Sequence, residues 1–203
     1  MHKYFMILSF MMLNNIGFSQ VHGGVQQYYY AGNGPSSIVP KAYYQSRKKW
    51  YGEVKYNYEA SQTVSMNAGK MFSKKNKISY SVTPMAGIVL GKLNGINTGV
   101  NIEMDYKKLF FSTEMEYTFS IDKNTGNQFL TWTELGYQLT RKVYSGIALQ
   151  VIKNAQQKNI WEPGIMAGLV HENWTFPVYM FSPFCNNRNY VLGINWQWNY
   201  KNS

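Results

Sequence analysis

From residue 50 onward the chain alternates. In 50–59, Trp50, Gly52, Val54, Tyr56 and Tyr58 share one parity, and Tyr51, Glu53, Lys55, Asn57 and Glu59 share the other. A period of two puts the greasy set on one face of a strand and the charged set on the opposite face. The same two-sided pattern recurs in 63–72, 78–90, 98–106, 109–120, 128–139, 143–152, 160–170, 174–182 and 189–200. Pro84 falls inside the third of these runs, where it demands a bulge or the loss of one ladder bond. In 128–139 the pattern is weakest, because Thr131 and Thr133 share the parity of Leu135 and Tyr137 while Trp132 takes the other. The pattern predicts an all-β, antiparallel transmembrane β-barrel of ten strands, an even number that lets such a sheet close on itself. Eight or twelve follow if 128–139 or the residues before Trp50 read differently.

The connections support membrane insertion. Every second one is short and polar, such as Lys107 and Lys108, while most of the others are longer and rich in Gly and Asn. Short periplasmic turns and longer extracellular loops are the asymmetry of outer-membrane barrels. Side-chain size settles which face is inside. The polar face holds Gly69, Gly87, Gly99, Gly136, Gly146, Gly164, Gly168 and Gly193, which suit a narrow lumen, whereas the other face is large and apolar on every strand. Trp50, Phe72, Tyr106, Trp174, Trp196 and Trp198 are expected at one membrane interface, and Tyr58, Tyr117, Phe119 and Tyr190 at the other. The competing reading inverts the parity and makes a soluble secreted barrel that binds an apolar ligand.

The N-terminus reads separately. A basic start, an apolar stretch from Tyr4 to Leu13 and a small-residue exit at Gly17 and Ser19 make residues 1–19 a secretory signal peptide. Residues 20–49 are dense in Gly, Asn, Pro and Ser and read as a flexible leader, or as a plug stacked inside the barrel through Tyr28, Tyr29 and Tyr30. The barrel domain then spans 50–203. Beyond the signal there is no apolar run of about 20 residues, which excludes a helical span. Removing Lys3 with the signal leaves 19 basic against 10 acidic side chains, but secretion argues against a nucleic-acid partner. The single Cys185 has no internal partner for a disulfide.

Candidate chemistry lies in the lumen. Eight of the ten acidic residues share the inward parity: Glu53, Glu59, Glu103, Asp105, Glu114, Glu116, Glu134 and Glu162, with only Lys55 clearly facing them. Pairing across Lys107 and Lys108 brings Asn101 near Glu114, and the next hairpin could bring Glu114 opposite Glu134. Such a lumen attracts cations or small polar solutes, or else forms a hydrogen-bonded polar core. Paired carboxylates also permit a surface hydrolase, yet nothing fixes them in a cleft, and His171 sits in a short turn. No catalytic residue, cofactor or metal site is expected. Lys74, Lys75, Lys77, Lys107, Lys108, Arg141 and Lys142 gather in the short turns, where they meet lipid headgroups or a periplasmic partner, or simply keep the edges wet.

The segments WYGEVKYNYEA at 50–60, PMAGIVLG at 84–91 and LTWTELGY at 130–137 resemble those of small outer-membrane proteins of Bacteroidota-type bacteria. The resemblance implies the barrel fold and the outer-membrane location, and it brings no assigned catalytic residues. The expectation is therefore a monomeric, non-enzymatic outer-membrane barrel among lipid, either structural to the envelope or a narrow porin-like pore for small, cationic solutes.

Overall fold

The computed structural model describes residues 21–32, 36–122, 125–156, 159–186 and 188–200; the expected signal peptide lies outside them. The strands are β1 (Val21–Gly32), β2 (Ser37–Gln45), β3 (Trp50–Tyr56), β4 (Thr63–Lys70), β5 (Phe72–Lys75), β6 (Ser79–Gly91), β7 (Gly95–Tyr106), β8 (Leu109–Ser120), β9 (Gln128–Gln138), β10 (Val143–Asn154), β11 (Ile160–His171), β12 (Trp174–Phe181) and β13 (Asn189–Tyr200). Each pairs antiparallel with its neighbours, β1 pairs with β13, and β4 and β5 both pair with β6, so the sheet closes.

The strand count corrects the expectation of ten. β4 and β5 are two halves of one barrel strand, because Gly69 opposite Met85 and Phe72 opposite Val82 keep a single register. That makes twelve barrel strands in place of ten. The break between the halves falls across from Thr83 and Pro84, where the proline has no N–H to give, and no extra residue is inserted. The two additional strands, β1 and β2, come from 21–45, where a flexible leader was expected. Their Val, Ile and Tyr residues favour strands, but Gly23, Gly24, Gly32 and Pro40 interrupt the pattern. The strands are held by neighbours: β1 runs opposite β13 from Val21 against Tyr200 to Gly32 against Asn189.

The alternation takes the membrane orientation. On the outer wall Ile147 is 58% exposed and Leu169 56%, while inward-pointing Lys55, Asn97 and Thr118 are buried. An exterior of isolated aliphatic side chains on every strand, wrapped around a polar interior, is stable in hydrocarbon and not in water. The inverted, soluble reading fails on this point. Trp50, Phe72, Trp174 and Trp196 are exposed near the end that carries the basic turns, with Tyr106 and Trp198 half-buried there; Tyr117, Phe119 and Tyr190 are exposed near the other end. Lys70 lies on the same outer wall as these aromatics, its Nζ 5.4 Å from the centre of the Trp50 ring. Where 128–139 was ambiguous, the outward hydroxyls satisfy one another: Thr113 Oγ1 lies 2.8 Å from that of Thr133 and 3.4 Å from that of Thr131. The chain is a closed antiparallel β-barrel of the outer-membrane type.

Candidate functional site

The lumen has two unlike walls. The first is built on β2, β3 and β8 around two buried lysines. Cross-strand pairing puts Lys41 directly opposite Lys55, an arrangement that is repulsive unless something separates the charges. Glu53 does so. Its Oε2 lies 3.3 Å from Lys41 Nζ and its Oε1 3.3 Å from Lys55 Nζ. Lys41 also donates to Glu114 Oε1, and Lys55 to Glu116 Oε1, with Glu59 Oε1 3.2 Å from the Lys55 ammonium.

Neutral donors complete this wall. Tyr51 donates its hydroxyl to Glu53 Oε2 at 2.7 Å, and Asn67 Nδ2 donates to Glu53 Oε1 at 3.0 Å. Asn97 Nδ2 donates to Glu116 Oε2 at 2.9 Å and reaches Asn67 Oδ1 at 3.3 Å. The strand between those two asparagines carries Gly87, and a Cβ there would stand 2.2 Å from Asn67 Oδ1. The missing side chain is what lets the amides meet. Four carboxylates thus share two ammonium groups, all of them in a region where separated charge is expensive.

The connection between β3 and β4 folds over this wall. Tyr58, expected at the outer membrane interface, turns into the lumen instead. The strand ends at Tyr56 and Asn57 takes a φ of 59°, which breaks the alternation and reverses the side that Tyr58 faces. Its hydroxyl donates to Glu114 Oε2 at 2.9 Å, and Lys55 Nζ sits 4.0 Å from the ring centre. Burial, and then the Glu114 carboxylate beside it, push the Tyr58 phenol well above its ordinary range, so it remains a donor. Gln128 of β9 donates its Nε2 to the Glu59 carbonyl at 2.8 Å, tying the connection to the facing side.

The second wall, on β1, β9, β12 and neighbouring strands, is aromatic. The ring of Trp132 stands edge-on to Tyr179 and Phe181, each with its centre 5.0 Å away, and Tyr28 lies 6.2 Å from it. Inward glycines make room: a Cβ on Gly136 would stand 2.0 Å from the Phe110 ring, and one on Gly168 2.2 Å from the Tyr144 ring. Glu134 anchors the cluster, with Oε1 accepting from Trp132 Nε1 at 2.6 Å and from the Tyr179 hydroxyl at 2.7 Å.

Between the walls lies a cavity of about 800 Å³. It is lined by His22, Gln45 and Lys49 towards the basic turns, and it reaches Lys41, Glu114 and Glu134. Glu103 and Asp105 line it from β7, where Ser81 donates to Glu103 at 3.1 Å. Glu162, near the far end of β11, accepts from Asn189 Nδ2 at 2.5 Å. Of the carboxylates named from the sequence, Glu53, Glu59, Glu114 and Glu116 are therefore gathered on the lysines, while Glu103, Asp105, Glu134 and Glu162 have no Lys or Arg at ion-pair distance among the described residues. Asn101 does pair with Glu114, but Glu114 stands opposite Trp132, and Glu134 opposite Ser112. Lys41 and Tyr179 were not foreseen, and Tyr28 was placed inside the barrel only as part of a plug. The parity of Val39, Lys41 and Tyr43 against Ile38, Ala42 and Tyr44 carried the signal for the first.

No family model matches the sequence, and no curated protein matches it. Solved structures do match its fold. A KdgM porin superposes with a TM-score of 0.62 at 13% identity, covering 85% of this chain and 98% of the porin. A second structure, of KdgM porin in complex with disordered oligogalacturonate, gives 0.63 at 13% identity over 85% of this chain and 98% of that one. A NanC porin gives 0.61 at 10% identity, over 86% and 98% of the two chains. At such identities the likeness is one of fold, and the fold this chain shares is that of outer-membrane porins.

Proposed function

We propose that the barrel is a narrow, non-enzymatic pore for small polar solutes that favours cations. One observation carries the preference: Glu103, Asp105 and Glu134 line the cavity with no Lys or Arg at ion-pair distance among the described residues. Lys41 and Lys55, inside the barrel, are held by four carboxylates, so this network is itself acidic as a whole. Arg47, Lys49, Lys74 and Lys75 also line the cavity, in or beside the turns at its mouth and level with Asp105, where salt screens a charge beyond about 8 Å and leaves Glu103 and Glu134 to act deeper in. The KdgM structure with oligogalacturonate holds a polyanion; a lumen lined by uncompensated carboxylates disfavours such a solute, so the shared fold carries a different selectivity here.

Planar-bilayer recording tests this. In a potassium chloride gradient the reversal potential is expected to report cation preference, and Glu103→Gln with Asp105→Asn to bring it towards zero. A current that is anion-selective, or unchanged in the double variant, would reject the preference. No current at all would leave a structural role in the envelope.

A further inference from the structure

The cavity has a bias beyond its charge: it offers acceptors that no donor among the described residues fills. Asn195 on β13 is 9% exposed, and its Nδ2 reaches the Tyr28 hydroxyl at 3.4 Å while its Oδ1 has no partner. Gln197 Oε1, two residues along the same strand, and Asn101 Oδ1 on β7 are buried and unpartnered too. All three residues line the cavity. A buried amide oxygen without a donor is costly, and its presence at a cavity wall points to a donor supplied from outside.

The surroundings narrow the donor's chemistry. Asn195 is joined through Tyr28 to the rings of Trp132 and Tyr179, and through them to Glu134. Ring faces attract cations, and an ionised carboxylate only accepts hydrogen bonds. The basic group that lines this depth, Lys41, is ion-paired with Glu53 and Glu114 and so gives an anion no hold.

We propose that this wall is a binding site for a small organic ammonium compound with a ring-sized body. The body lies against Tyr28 and Trp132, which are only partly buried, and the N–H donors reach Asn195 Oδ1 and the Glu134 carboxylate. The proposal rests on the pore reading in naming the class of solute, but the wall binds whether or not the solute passes through.

The test compares glucosamine with N-acetylglucosamine, which keeps the ring and removes the positive charge. With the full mature chain refolded in planar bilayers, glucosamine is expected to block the current at a half-blocking concentration about tenfold lower. Glu134→Gln and, independently, Asn195→Leu are each expected to abolish the difference, so failure of one variant to refold leaves the other. Equal block by the two sugars, or a difference that survives in both variants, overturns the binding site while a cation-selective current leaves the pore reading standing. If no current flows, the pore reading fails by itself, and calorimetric titration of the detergent-solubilised protein decides the site. Tighter glucosamine binding supports it there; equal or absent binding of both sugars overturns it.

Discussion

The two walls of the lumen stabilise themselves by opposite means. On the β2–β3–β8 side, charge is packed against charge, four carboxylates on two ammonium groups: Lys55 has no exposed surface, and its ammonium is surrounded by Glu53, Glu59 and Glu116. On the β1–β9–β12 side, rings pack against rings and glycines, while Glu134 is hydrogen-bonded but carries no counter-ion. The first wall keeps its lysines' partners inside the protein, although Glu59 Oε2 and Asn97 Oδ1 there accept no hydrogen bond among the described residues. The second leaves ring faces, a carboxylate and amide oxygens turned to the cavity. A buried ion network of the first kind fixes geometry, because removing one member strands the others, whereas a wall of the second kind can exchange its partners with a solute.

Substitutions sharpen that contrast, and the largest effect belongs to the ion network. Lys55→Met strands Glu59 and Glu116, leaves Glu53 with Lys41 alone, and is expected to cost about 3–5 kcal/mol, read as a lowered urea midpoint of the folded barrel in detergent. Lys55→Met combined with Glu116→Gln is expected to recover part of it. An unchanged midpoint in the single variant would mean that the network does not hold the wall. Trp132→Ala on the other wall is expected to cost less, about 1–2 kcal/mol, because the ring is half-buried and lies below the range of a fully enclosed aromatic. It is also expected to raise conductance. Equal losses for the two would erase the distinction between the walls.

Tyr58→Phe comes next. It removes one donor to the Glu114 carboxylate and is expected to cost about 1.5 kcal/mol while loosening the β3–β4 connection, visible as faster amide exchange over residues 57–62. Glu103→Gln closes the series, with a stability change within about 0.5 kcal/mol but a measurable loss of cation preference. A large loss of stability there would place Glu103 in the structural network.

Much of this was legible in the chain. A period of two needs no tertiary information, so residues from Trp50 onward disclosed their inner and outer faces, including the acidic residues turned inward and the large apolar groups turned out. Two things escaped for local reasons. In residues 21–45 the Gly, Asn, Pro and Ser that punctuate the chain masked the Val, Ile and Tyr among them, and the strands show once β13 and β3 lie beside them. Tyr58 escaped because one left-handed residue, Asn57, reverses the alternation, and a side-chain pattern does not record a backbone angle.

Sequence alone therefore determined the class of molecule: an antiparallel barrel with a greasy exterior and a small-residue, acidic lumen, because alternation is a property of each strand taken singly. The tertiary structure decided how many strands close it, which carboxylates meet a lysine and which face the cavity uncompensated. Those depend on register around the closed sheet. Register sets Lys41 beside Lys55, with Glu53 between their ammonium groups, and leaves Glu134 among rings, by contacts between strands far apart in the chain.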